Sequence, residues 1–309
     1  MRNNPLRGIR RLVVVAPLGL IAACGGQPTL DLGSAPDPSV AVASPETSAP
    51  PQPMPKNPER SDAPQPEPRQ EPAPPALEGE LLAEAAGGVE PGTTLGAVVY
   101  DRQTGTSPLE YNADRPFRSA SLVKLLIAIE TLESGAGGED RDRIYRMLSM
   151  SDDDLASMLW VREGGSDLVT RTSAELGLTG VRPPEVPGQW GEVVVTPRDV
   201  AAIYRYVLTM PPADRKLIVN ALGQAPRHAA DGFDQYFGIP DGLDATWAVK
   251  QGWGNNSEAM VLHSTGLVGP DFRYVVVLLS EHPLDSGWST SAQSVTAAAA
   301  AVHGNLPGV

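Results

Sequence analysis

The chain has 309 residues, 41% of them hydrophobic, and a single Cys, so it is neither a disordered chain nor a disulfide-stapled miniprotein and can bury a sizeable core. Its 24 Lys and Arg face 37 Asp and Glu, a formal charge of −13, with no strongly basic cluster along the sequence beyond the first eleven residues. That distribution excludes the electrostatic footprint of a nucleic-acid binder.

In chain order, Arg2, Arg7, Arg10 and Arg11 precede an apolar run over residues 12–23, which ends in Ile21-Ala22-Ala23 before Cys24. This is the layout of a secretory signal, and the run is too short for a comfortable membrane span. A Cys placed straight after small residues resembles the lipobox of bacterial lipoproteins. The resemblance implies that Cys24 is acylated and becomes the new N-terminus, anchoring the protein on the outer face of the cytoplasmic membrane. Cleavage there would leave 20 basic residues against 37 acidic ones. Residues 28–75 hold 15 of the 31 prolines and almost no branched or aromatic apolar residues, so residues 24–76 are expected to form an extended tether. The folded domain is expected over residues 77–309.

A helix is expected over residues 77–86, followed by strands at 95–101 and 109–111, with the turn residues Arg102-Gln103-Thr104-Gly105 after the first. Helical spacing then recurs at 121–133, 140–150, 152–161, 167–176, 197–209 and 213–222. Strands return at 246–253, 259–264 and 272–280, the last two joined by Gly269-Pro270-Asp271, and an Ala-rich helix over 291–302 follows. The late connections are too short for crossover helices, so these strands should pair antiparallel with the terminal helices on one face. The class is α+β, with a helical lobe inserted between strands.

Few residues carry chemistry. Ser121-Leu122-Val123-Lys124 opens a helix that is apolar nearly all round, and such a helix is buried. Its two polar side chains stand three residues apart on one face, where the amine can take a proton from the hydroxyl if the site lowers the lysine's pKa. Ser-x-x-Lys alone is weak, but only four of the 24 basic residues are Lys, and Arg cannot act as a neutral base. A second Lys opens Lys250-Gln251-Gly252 in the strand entering Trp253, where a cation and backbone N–H groups can hold a carboxylate and a developing oxyanion. Between them, Ser151-Asp152-Asp153 starts a helix; its plain structural explanation is an N-cap Ser followed by acids at the positive helix end. His263 has no acid or Cys neighbour in a ligand spacing and is expected to be structural.

Together the three elements resemble the active site of the penicillin-recognising serine enzymes, meaning class A β-lactamases and related DD-peptidases. Phe117-Arg118-Ser119-Ala120-Ser121-Leu122-Val123-Lys124-Leu125 is similar to the family's first motif with its flanks, and Thr196-Pro197-Arg198-Asp199 to the helix start after the omega loop. Ser151-Asp152-Asp153, Lys250-Gln251-Gly252-Trp253 and His263-Ser264-Thr265-Gly266 resemble more closely still a group of actinobacterial cell-envelope lipoproteins of the LppW type. The resemblance implies a five-stranded antiparallel sheet with packed terminal helices and an inserted all-helical lobe. It implies Ser121 as acyl-accepting nucleophile, Lys124 as its base and Ser151 as proton relay. Asp153, Lys250, Gln251, Gly252 and Trp253 would bind substrate, Lys250 positioning its carboxylate, with the Ser121 and Trp253 N–H groups as oxyanion hole. No cofactor or metal is implied; the expected partners are a β-lactam or peptidoglycan peptide, and the membrane through the lipid.

Three departures bear on turnover. Asp153 stands where the family usually has Asn, and a carboxylate near Lys124 favours the ammonium form. Gln251 replaces a small hydroxyl residue and is expected to crowd the carboxylate site. Residues 179–196 lack Glu-x-x-Leu-Asn, leaving only Glu185 or Glu192 as deacylation bases, neither in the right context. The chain lacks Gly-x-Ser-x-Gly, His-Glu-x-x-His and phosphate-loop motifs. Two functions follow: a serine acyl-transfer enzyme, or a binding lipoprotein that kept the fold and lost turnover.

Overall fold

The computed structural model describes residues 79–303, 306, 307 and 309. The chain divides into two units, Met1–Pro68 and Arg69–Val309, and every described residue belongs to the second. The leader, Cys24, the tether and the first two residues of the expected domain lie outside the described residues.

The elements run α1 (Gly79–Val89), β1 (Thr94–Asp101), β2 (Thr106–Tyr111), β3 (Phe117–Arg118), α2 (Lys124–Glu133), α3 (Gly138–Ser149), α4 (Asp153–Arg162) and α5 (Ser166–Leu176). They continue with β4 (Val194–Val195), α6 (Pro197–Thr209), α7 (Pro212–Gly223), a short α8 (Ile239–Gly242), β5 (Trp247–Asn255), β6 (Met260–Val268), β7 (Tyr274–His282) and α9 (Trp288–His303). Five strands form one antiparallel sheet in the order β2-β1-β7-β6-β5. The expected sheet and class are therefore present, with β5 at an edge.

The sheet is covered on both faces. On one, α1 and α9 set Leu82, Ala86, Val295 and Val302 against Leu95, Val99 and Val276. On the other, the helical lobe packs Leu126, Ile129, Val200 and Ile203 against Val98, Val275 and Val277. Burial on both sides is why β6 is buried along all nine residues and lacks the alternation of a half-exposed strand. α2 is the lobe's central helix, with Lys124 to Ile129 wholly buried.

Three local features differ from the sequence expectation. Ser121 lies not in an α-helix but in a 3-10 turn, Ala120–Val123, with α2 starting at Lys124. The two-residue strands β3 and β4, which pair Phe117 with Val195 and Arg118 with Val194, are too short to leave a periodic trace. The N-cap of α4 is Asp152, whose carboxylate accepts from the Leu155 N–H at 3.1 Å, while Ser151 has a left-handed φ of 52°. Asp caps a helix as well as Ser does, and its taking that place frees the Ser151 hydroxyl.

Candidate active site

Three elements converge on Lys124. The 3-10 turn brings positions three apart into near-eclipse, so Lys124 Nζ lies 2.9 Å from Ser121 Oγ. The α3–α4 connection supplies Ser151, whose carbonyl accepts from Lys124 Nζ at 2.7 Å and whose Oγ lies at 3.1 Å. From β5, Lys250 Nζ donates to the same Ser151 Oγ at 2.9 Å and to the Gln251 carbonyl at 2.8 Å. Ser121, Lys124, Ser151 and Lys250 thus form one continuous chain of polar atoms.

Backbone strain is concentrated here. Ala120 and Ser151 both have positive φ, 43° and 52°, a region costly for non-glycine residues. Each immediately flanks or carries a group of the polar chain, and the surrounding hydrogen bonds hold it there. Ser119 N donates to the Val193 carbonyl at 2.6 Å, tying the turn to the β3–β4 pair. Gly252 lets β5 approach: a Cβ there would meet the Ser119 carbonyl at 3.1 Å and Leu122 at 3.3 Å.

The electrostatics of the two lysines differ. Burial pushes the Lys124 ammonium below the usual lysine range, opposed chiefly by Asp153, whose Oδ1 lies 2.5 Å from Nζ. The expected carboxylate is in contact, yet desolvation outweighs it. Lys250 has no carboxylate partner and is pushed well below its ordinary pKa by burial and then by the Lys124 charge. Both effects supply amines that are easier to deprotonate than free lysine.

A groove of about 200 Å³ opens on this cluster, walled by Arg118, Ser121, Asp153, Trp190, Glu192 and Trp253 among others. Trp253 lines it and donates from Nε1 to Asp231 at 3.1 Å, with its ring stacked on Phe233. Gln251 departs from the sequence expectation: its side chain does not line the groove. Its amide is buried and donates to the Gln235 and Phe237 carbonyls at 3.1 and 2.6 Å, so it braces the segment before α8 and does not crowd the carboxylate site.

Sequence reading missed Trp190. Its ring centroid lies 5.0 Å from Lys124 Nζ and its Nε1 donates to Ser157 Oγ at 3.2 Å. In residues 179–196, therefore, an indole and not a carboxylate faces the lysine. Glu192 does line the groove, but its carboxylate is committed to Arg118 at 3.0 Å and Asn256 at 3.2 Å. Glu185 is exposed and lies outside the groove wall. No sequence motif marks Trp190; the nearest signal is an aromatic residue in a Gly-rich segment without strand or helix periodicity.

His263 sits beneath the site. Its Nδ1 accepts from the Ser280 N–H at 3.2 Å, so the proton resides on Nε2, which donates to the Arg118 carbonyl at 2.7 Å. Burial pulls its pKa down to about 4, which keeps the ring neutral. The residue is a strut for the strand leading into the serine turn. Among the described residues, no group of three or more His, Cys, Asp or Glu is arranged to hold a metal ion.

The fold has known counterparts. A β-lactamase from Streptomyces albus G aligns with a TM-score of 0.58 at 20% identity, covering 72% of this chain and 97% of its own. PBP-A aligns with a TM-score of 0.57 at 19% identity, covering 73% and 95%, and a mutant of it was solved as an acyl-enzyme complex with penicillin G. The sequence model of the Beta-lactamase enzyme family matches residues 80–140, which run from α1 through the Ser-x-x-Lys turn and α2 to the start of α3. The fold is thus β-lactamase-like. LppW of Mycobacterium tuberculosis (strain ATCC 25618 / H37Rv), which bears the name of a lipoprotein, is 36% identical over 219 residues, covering 67% of this chain and 68% of LppW. LppW of Mycobacterium bovis matches equally. The chain belongs to the LppW family.

Proposed function

We propose that this is an envelope lipoprotein, anchored through Cys24 on the outer face of the cytoplasmic membrane, whose groove forms an acyl-enzyme with a β-lactam or D-Ala-D-Ala-like peptide and releases it slowly. The observation that carries this reading is the polar chain from Ser121 Oγ through Lys124 Nζ and Ser151 Oγ to Lys250 Nζ. Neutral Lys124 takes the Ser121 proton as Oγ attacks the carbonyl carbon. The resulting oxyanion faces the N–H groups of Ser121 and Trp253, the latter on an edge strand whose outer backbone side is not paired in the sheet. Ser151 relays that proton from the Lys124 ammonium to the leaving nitrogen, and Lys250 is the N–H donor for the substrate carboxylate, whose negative charge favours its ammonium form. Release requires a base that activates water. Trp190 over Lys124 and the Arg118-bound Glu192 supply none.

Intact-mass measurement of the protein after incubation with several β-lactams tests the proposal. A persistent adduct on Ser121, absent in Ser121→Ala, with little net hydrolysis, is the expected result. A folded protein that takes up no β-lactam or D-Ala ester would favour the second reading, a binding lipoprotein without turnover. The observation on that side is the Lys124–Asp153 contact of 2.5 Å, which favours the protonated amine.

A further inference from the structure

Unpaired positive charge is collected in one place on this acidic protein. Among the described residues, the basic side chains without a carboxylate partner are Arg102, Arg182, Arg205, Arg215, Lys216 and Lys250. Lys250 belongs to the groove described above, and Arg182 stands apart. The other four border three clefts that share Arg102: one of about 560 Å³ with Arg205, one of about 280 Å³ with Arg215 and Lys216, and one of about 440 Å³ with Arg273. None of the clefts shares a residue with the groove at Ser121.

These guanidiniums are held by neutral groups, so their charge is positioned without being cancelled. Arg102 donates from Nη1 alone, to the Asp271 and Phe272 carbonyls at 2.8 and 2.7 Å. Arg215 donates from Nη1 to the Leu208 carbonyl at 3.0 Å, and the Arg205 guanidinium lies 4.5 Å from the centre of the Tyr100 ring. Each keeps further N–H groups for a ligand. The residues lining the clefts include one unpaired acid, Asp271, against the four cations; Asp101 is paired with Arg273, and Glu133 is bound by the hydroxyl of Tyr206, which lines the first cleft. Arg forks fit phosphate oxygens in pairs and remain charged at any physiological pH.

We propose that these clefts dock the phosphates of an anionic lipid surface. Several cations spread over adjoining clefts match a partner with repeated charges, and elsewhere the net negative chain is repelled by such a surface. The choice of lipid rests on the Cys24 anchor proposed above, because a linker of about 50 residues reaches at least about 40 Å and keeps the domain within range of its own membrane. The clefts themselves do not depend on that reading.

The test uses residues 24–309 with Cys24→Ser, sedimented with phosphatidylglycerol-containing vesicles and with pure phosphatidylcholine vesicles. Binding to the anionic vesicles is expected, weakening with salt and by more than about 25-fold in Arg205→Glu/Arg215→Glu, at about five-fold for each cation removed and a further loss for each acid added. Arg205→Gln/Lys216→Gln serves where the charge reversal does not fold, and Arg182→Glu should bind as the parent does. Equal binding by the patch variants, or equal binding to both vesicles, would overturn the proposal. So would binding of inorganic polyphosphate with neither vesicle bound. Failure of the anchor reads out separately, as protein purified from cells whose Cys24 carries no added lipid by intact mass.

Discussion

At the scale of single residues, the site sets burial against pairing at one amine. Lys124 is wholly buried, which favours the neutral base, while Asp153, with 65% of its side chain exposed, favours the ammonium across 2.5 Å. Removing an opposite charge at such range lowers an amine pKa by about 1–3 units. Asp153→Asn should therefore raise the acylation rate by about ten-fold near neutral pH and move the acidic limb of the pH–rate profile about one unit lower. Stopped-flow acylation with a chromogenic cephalosporin checks this. An unmoved profile would leave Asp153 as a residue that holds the shape of the α4 start. The Ser151 backbone tells a related story, since its left-handed φ directs its carbonyl and hydroxyl at Lys124 and leaves capping to Asp152.

At the scale of elements, the sheet is stiffened by a polar seam that crosses it. His263 on β6 accepts from Ser280 on β7; Ser280 Oγ contacts His282 Nε2 at 2.9 Å and donates to the Leu262 carbonyl. His282 Nδ1 lies 3.4 Å from Glu90 at the end of α1, and Glu90 also accepts from Ser291 of α9 at 2.7 Å. Burial holds both histidines at a pKa of about 4 in the folded state. In the unfolded chain they titrate near 6.5, so between those values the unfolded state binds more protons and stability rises with pH. Unfolding free energy from urea titration should thus be at its full value above pH 6.5 and fall by up to about 3 kcal/mol per ring on acidification towards pH 4. A flat profile across that window, or an NMR titration of either ring above pH 6, would contradict the arrangement.

At the scale of the whole molecule, both cores of the described domain are built from residues after Gly79, and α1 and α9 close the outer face together. Nothing in residues 24–76 offers comparable apolar surface, so those residues should add little stability. A chain beginning at Leu77 should unfold in one cooperative transition, within about 2 °C of the chain beginning at residue 24, in differential scanning calorimetry. A marked drop in Tm on truncation would mean that the tether packs on the domain. The basic clefts belong to this scale as well: Arg102, Arg205 and Lys216 are scattered in the sequence, and only the meeting of the β1–β2 turn with α6 and α7 groups them.

What the sequence determined by itself was what repeats or stands close along the chain. Hydrophobic periodicity announced the long helices and strands, short connections required antiparallel pairing of β5, β6 and β7, and Ser121 and Lys124 needed only one turn of backbone to meet. Tertiary structure decided what depends on segments remote in sequence. It placed Ser151 between two lysines, put the Trp190 indole over Lys124, and turned Gln251 away from the groove to main-chain carbonyls. The reason is that local propensity specifies where hydrogen-bonding groups lie within an element, whereas which buried groups face one another is set by how the elements pack. A side chain's pKa and partner follow from that packing, and no spacing rule contains it.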